Sequence, residues 1–419
     1  MSRFFLIVAL SAFLGGASPA WAGDWPEFLG PKGTAHSADE VPTRWSETEN
    51  LKWKVDLPGR GSSSPIVVGD RVIVTCWLGD DAPTSRQVAC FNKNTGERLW
   101  SVDFPIDYTE DPYRGYIMEH GYASNTPVSD GESVFVFLGK GGVHALGMDG
   151  TRKWSVDVGK ESSNRQWGSA ASLILYQGSV IVNASEESKA IWALDKATGE
   201  TLWRADAGML ELTYGTPRVV TLADGRSELV VSVPSEMWGL DPANGKLSWY
   251  AQTPMTGNVC PSPIVAGDVV YSFGGYRSSG CIAVRAGGKD DVTQSHVLWT
   301  NRSSSYVATP LLHEGRFYWI NDQGIAYCTS AQDGEVVYRA RVGKLEGGRP
   351  VYASPIFVGK HIYVVTRYSG TIVYPPGDSF EPIATNVFAN DDSIFNATPA
   401  VSDGHLYLRS DRALYCIGF

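Results

Sequence analysis

No two of the six cysteines form a CxxC pair, and none of the seven histidines stands in a cysteine cluster. The spacing that holds a structural zinc is therefore missing. Basic charge is also short: 35 Lys and Arg face 45 Asp and Glu, giving a formal net charge of −10. That balance argues against a nucleic-acid surface or a polybasic membrane patch. Long apolar runs are confined to Phe4 to Leu14, too short for a membrane anchor. With Met1-Ser2-Arg3 before it and Ala20-Trp21-Ala22 after it, this run reads as a secretory signal peptide over residues 1–22. The first cysteine beyond it is Cys76, so no lipid-bearing cysteine stands at the cleavage point. The expected product is exported, periplasmic or secreted, with neither a transmembrane segment nor a lipid anchor.

What the chain does have is repetition. Ala193-Leu-Asp-Lys-Ala-Thr-Gly-Glu-Thr-Leu-Trp203 recurs as Cys90 to Trp100, Gly239 to Trp249 and, one residue shorter, Ala145 to Trp154. Cys328 to Tyr338 is a worn copy. A small residue ends a strand, an Asp, Asn or Ser bonds back into the turn, a glycine supplies positive φ, and the aromatic falls on the return strand. A second landmark is a Ser/Thr-Pro step opening an apolar strand, at Pro65, Pro127, Pro217, Pro263, Pro310, Pro355 and Pro399. From Pro217 onward the gaps are 46, 47, 45 and 44 residues. Between Pro127 and Pro217 the stretch Ser169-Ala-Ala-Ser172 keeps the context without the proline, making eight units.

Four short strands per unit of this length predict an all-β, eight-bladed β-propeller of four-stranded antiparallel blades over residues 51–419. A linear solenoid has the same local signature, and the chain ends decide against it. Leu414 to Phe419 is a third strand with no fourth after it, and Trp53 to Pro58 is a fourth strand with no blade before it. The N-terminal strand is expected to complete the last blade and remove two exposed edges. The aromatics Trp53, Trp100, Trp154, Trp203, Trp249, Trp299 and Tyr338 are expected to pack blade against blade; in the seventh blade the position is degenerate, near Ile383. Residues 23–50 read as an extended strap across the disc.

Export permits disulfides, and six cysteines are an even number. Cys76 with Cys90, and Cys260 with Cys281, lie close enough in sequence to pair. Cys90, Cys328 and Cys416, however, occupy the small-residue position of the repeat, which suits a buried small hydrophobe. The acidic pairs Asp80-Asp81, Asp290-Asp291 and Asp391-Asp392 read as solvated loop tips.

On these repeats the chain resembles the pyrroloquinoline-quinone (PQQ) repeat superfamily, whose tryptophan-docking motif is clearest at Ala193–Trp203. The head of the strap, with Trp25-Pro26, Gly30-Pro31 and Gly33, is similar to that of short exported PQQ-like propellers. The resemblance implies one of two functions. Quinoprotein dehydrogenases hold PQQ and calcium in the central funnel, many of them stacking the quinone on a disulfide between adjacent cysteines. Scaffolds such as the lipoprotein of the outer-membrane β-barrel assembly machinery are not catalytic. Here no two cysteines adjoin and no lipid-bearing cysteine is found, and only the loops Ile106 to Tyr122 and Val342 to Tyr352 are long.

The residues that precede each Ser/Thr-Pro step should ring the channel mouth. They are Arg60, Glu119 with His120 and Tyr122, Arg165 with Trp167, Glu211 with Tyr214, Asn258, Tyr306, Arg349 with Tyr352, and Phe395 with Asn396. Such a collar suits a flat anionic ligand or a partner peptide, or else simply plugs the channel. Glu119, Glu211, Asn258 and Asn396 have the chemistry that a PQQ–calcium site would need, but nothing in the spacing brings them together. The favoured reading is a non-catalytic scaffold that binds protein partners through its loop faces and needs no cofactor. A PQQ- and calcium-dependent alcohol or sugar dehydrogenase is the alternative.

Overall fold

The computed structural model describes residues 23–419, so the signal-peptide expectation for residues 1–22 lies outside the described residues. Eight antiparallel sheets follow one another along the chain. Their innermost strands are, for blades 1 to 8, Ile66–Val68, Val128–Ser129, Ile174–Tyr176, Arg218–Thr221, Ile264–Ala266, Leu311–His313, Ile356–Val358 and Ala400–Ser402. Burial falls outward across each blade. In blade 3 the second strand, Ser179–Ala184, is buried throughout, whereas the outermost, Thr201–Asp206, exposes alternate residues. That contrast is expected of a sheet sandwiched between neighbours but wet at its rim.

The ring closes as the termini imply. Leu51–Asp56 pairs antiparallel with Ala413–Ile417, setting Trp53 opposite Cys416 and Lys54 opposite Tyr415. One hydrogen-bonded sheet thus contains both ends of the propeller, and the solenoid is excluded.

Two repeated devices bind the blades together. At the outside, each docking tryptophan reaches the turn of the next blade. The indole N–H of Trp53, Trp100, Trp154, Trp203 and Trp299 donates to the carbonyl of Lys93, Met148, Lys196, Pro242 and Ala331, at 2.9–3.1 Å. The turn glycine beneath has positive φ, as at Gly199 (φ 79) and Gly245 (φ 72). It also lies so close that a Cβ at Gly245 would sit 2.4 Å from the Trp203 ring. Blade 4 departs from this: Trp249 is fully buried and donates to Glu228 of its own blade at 2.7 Å.

At the inside runs a closed circuit through the Ser/Thr-Pro steps. The main-chain N–H of Ser64 donates to the hydroxyl of Thr126, Thr126 to Ser172, Ser172 to Thr216, and Thr216 to Ser262. Ser262 then donates to Thr309, Thr309 to Ser354, Ser354 to Thr398, and Thr398 back to Ser64, all at 2.9–3.2 Å. Each hydroxyl satisfies a buried N–H that would otherwise lack a partner. Blade 3 keeps its link without a proline because the link uses only the Ser172 N–H and hydroxyl.

Residues 23–50 cross the disc from blade 1 to blade 8. Trp25 bridges Val67 through two main-chain bonds of 2.8 and 2.9 Å, and Ser129 N–H donates to Pro26. Arg218 donates to the Phe28 carbonyl at 3.1 Å. His36–Ser37 then adds a parallel strand to the inner edge of blade 7.

Several expectations need correction. All six cysteines are free. Cys90 faces Ile73 across its hairpin, an odd three places from Cys76, so the two thiols lie on opposite faces of blade 1, in separate cores. Cys281 pairs in register with Phe273 inside its blade, whereas Cys260 lines the axial channel. The degenerate docking position of blade 7 does fall beside Ile383 as expected, at Ala384 opposite Val373. Asp391 is no loop tip. It is buried and accepts bonds from Ser410 and Tyr415 at 2.6 Å each. Asp290–Asp291 is exposed but forms a short parallel strand against Trp249 and Tyr250.

Candidate functional site

The axial channel is divided in two by Phe28 of the strap. Above it lies a chamber of about 160 Å³, walled by the eight hydroxyl residues and roofed by the collar. Of the residues expected at the mouth, His120, Trp167, Tyr214, Asn258, Tyr306, Tyr352 and Asn396 line this chamber. Four do not. Arg60 turns outward over the Trp77 ring, 5.0 Å from its centroid, towards Asp80. Tyr122 is buried beside blade 1, where its hydroxyl donates to the Asp111 carbonyl at 2.7 Å. Arg165 stacks on Trp167, and Arg349 covers Tyr116 and Tyr306, their guanidinium groups 5.7, 4.5 and 5.3 Å from the rings.

Sequence reasoning missed Phe28 and Tyr116, both of which line the chamber. Tyr116 meets Trp167 edge-on at 4.3 Å and belongs to the long loop after blade 1. That loop ends in the helix Ile117–His120 and is fastened across the mouth. Arg86 pairs with Glu110, Lys140 with Asp111 at 2.9 Å, and Arg367 with Glu119 at 2.5 Å. The first two pairs are buried on both sides and shielded from solvent, whereas Glu119 in the third stays partly exposed.

Few of the polar groups in the chamber are free for chemistry. His120 Nε2 faces the Trp167 carbonyl at 2.9 Å and must carry the proton; Nδ1 then accepts from the Ser124 hydroxyl at 2.6 Å. Burial holds the imidazole below its ordinary pKa, so it stays neutral. The Asn396 amide is committed to Arg367, the Glu119 carbonyl and Ser62. Asn258 donates to Cys260 Sγ at 3.2 Å. Burial pushes the Cys260 thiol up to about 12, which leaves it unreactive. The Tyr214 and Tyr352 hydroxyls lie towards Glu186 and Arg349 without reaching hydrogen-bond geometry.

Among the described residues the chamber wall contains no Asp, Glu, Lys or Arg. PQQ with calcium would need carboxylate oxygens for the metal, a carboxylate base and cations for the quinone acids. The donor set does not fit that group, and the chamber lies below the ~300–1,000 Å³ usual for ligand clefts. Glu211 is spent elsewhere, accepting from the Asn164 N–H at 2.7 Å. Outside the chamber the same rim exposes Met118, Tyr276 and Tyr368, with Tyr276 packed on Tyr306 at 5.9 Å.

A closed ring of eight four-stranded blades, locked by tryptophans seated on neighbouring turn glycines, defines a β-propeller of the PQQ-repeat type. Family comparison makes this more specific. Residues 37–105 and 84–340 match the family described as outer membrane protein assembly factor BamB, and the chain belongs to that family. BamB of Burkholderia pseudomallei is 23% identical over 76% of this chain and 85% of its own. BamB of Alkalilimnicola ehrlichii is 30% identical, over 35% of this chain and only 33% of its own. Among solved structures, BamB from Moraxella catarrhalis has a TM-score of 0.61 at 16% identity, covering 88% of this chain and 97% of its own. Quinohemoprotein alcohol dehydrogenase from Comamonas testosteroni scores 0.62 at 13% identity over 95% and 81%. At such identities these structures report the fold and no more.

Proposed function

We propose that this chain is an exported, non-catalytic scaffold that binds protein partners on the collar face of the disc. The observation that carries the reading is the make-up of that face. A chamber whose wall has neither a carboxylate nor a cation lies beneath a rim of Tyr116, Tyr276, Tyr306, Tyr368, Met118, Arg165 and Arg349. Tyr, Trp, Met and Arg are the side chains enriched at protein interfaces. Family membership supports partners in outer-membrane protein assembly, the role for which the relatives are named. It also supports export. No helix among the described residues is long and apolar enough to cross a membrane.

The test is photo-cross-linking in the envelope with a benzophenone residue at Tyr276 or Tyr368, and at Leu99 on the blade rim as control. Discrete protein adducts at the first two positions alone are expected. Adducts equal at all three, or a quinone spectrum shifted by the purified protein with calcium, would count against the scaffold.

A further inference from the structure

Below Phe28 the channel opens to the other face as a second chamber of about 740 Å³. Its wall is formed by the strap on one side and by the inner strands of blades 3 to 6 on the other. Leu175, Val219, Val265 and Leu312 stand at its surface, all half-buried. This volume is within the range of ligand clefts, and its lining is mainly apolar.

The register of the hairpins explains what this wall offers. Along an antiparallel pair, main-chain groups point alternately to the partner strand and away from it. In blades 1, 2 and 7 the outward-pointing position of the inner strand is Val67, Ser129 and Phe357, one step from the hairpin turn. All three are occupied by the strap: Val67 N–H donates to Trp25, Ser129 to Pro26 and Phe357 to Ala35, at 2.8–2.9 Å. The equivalent positions in blades 3 to 6 are Leu175, Val219, Val265 and Leu312, facing Val180, Leu229, Val270 and Phe317. Among the described residues none of these four outward N–H groups has a main-chain acceptor. The strand Ile264–Ala266 is half-buried along its whole length, whereas Ile66–Val68 in blade 1, which the strap covers, is buried.

We infer that this lower chamber is a docking site for a short extended segment of a partner protein, seated on the inner-strand edges of blades 4 to 6 as the strap is seated on blades 1, 2 and 7. The strap demonstrates the geometry within the same ring: His36 and Ser37 pair in parallel with Phe357 and Val358. Main-chain bonds provide the hold and the apolar wall takes alternate side chains. Arg218 is already engaged, its guanidinium held near Glu27 and the Phe28 carbonyl, and the inner-strand wall is otherwise uncharged, so that edge selects for apolar extended chain; Lys32 stands on the strap side of the chamber. The inference deepens the scaffold reading and rests on it, but places this contact on the face opposite the collar.

The probe is an acetylated, amidated hexapeptide of alternating valine and threonine carrying a fluorophore, with a copy N-methylated at alternate amides as control. Binding to the whole protein by anisotropy is expected, with the methylated copy at least about tenfold weaker through its lost hydrogen bonds. Val265→Pro, which removes one outward N–H at an edge that tolerates proline, should weaken the unmodified peptide by about fivefold or more. Amide exchange on the wild-type chain is the companion measurement. Val265 and Leu312 should exchange faster than Val67 and Phe357 and slow on adding peptide. Equal binding of the two peptides overturns the inference, as does full protection of Val265 and Leu312 in the protein alone, since the chain would then cover its own edge. Either result would leave the cross-links at Tyr276 and Tyr368 untouched, so failure here is distinguishable from failure of the scaffold reading.

Discussion

Trp203 shows how much a single side chain contributes to this fold. It is almost fully buried, its ring seals the Gly245 turn, and its N–H is satisfied by Pro242. Trp203→Ala is expected to cost about 3–5 kcal/mol, read as a fall in the denaturant midpoint at unchanged slope. A different response belongs to Glu186 and Glu187, buried side by side near blade 3. Burial lifts the Glu186 carboxyl to about 7; burial and the charge of Glu186 lift Glu187 to about 8, from an ordinary 4.5. The folded chain therefore holds more protons than the unfolded one between those values. The stability this contributes is whole below about pH 4.5 and is lost as pH rises through 7 and 8. Glu187→Gln should flatten that alkaline decline, measured as midpoint against pH. An unchanged slope would mean that other groups set it.

At the scale of the element, the hydroxyl circuit makes a sharper demand than any one strand. Thr126→Val keeps shape and β-propensity but leaves the buried Ser64 N–H without its acceptor, a loss of about 1–3 kcal/mol in unfolding free energy. Ser262→Ala should cost a similar amount through Thr216. The recurring Ser/Thr-Pro step was plain in the chain, and so were the blade count and the closing strand, because each rests on a repeated side chain. The purpose of the hydroxyl was not, although every one of the eight steps has Ser or Thr and only seven have proline. The pairing of Cys76 with Cys90 could have been dismissed from hairpin parity, since an odd offset puts them on opposite faces. Phe28, Tyr116 and the outward turn of Arg60 and Tyr122 were beyond reach, because these positions lie outside the repeat and no periodic pattern reports what they touch.

For the molecule as a whole, stability depends on the seam in blade 8. Trp53→Ala acts at the same kind of joint as Trp203→Ala but on the strand that shuts the ring. It should match the Trp203 variant in free energy and, unlike it, expose the segment around residues 50–57 to limited proteolysis under native conditions. Equal resistance in both variants would show that the strap alone holds the seam. The hydroxyl circuit also has a sense of rotation: every donor hands its hydrogen to the next blade in chain order, until Thr398 returns to Ser64 across 334 positions. Seven of these handovers involve blades that are neighbours in sequence. The eighth must await the far end of the polypeptide, so it is the slow, loop-closing event of assembly. A disc interrupted before that moment would present two unfinished rims, each shaped to accept the matching rim of a second copy, and thus a route to domain-swapped pairs.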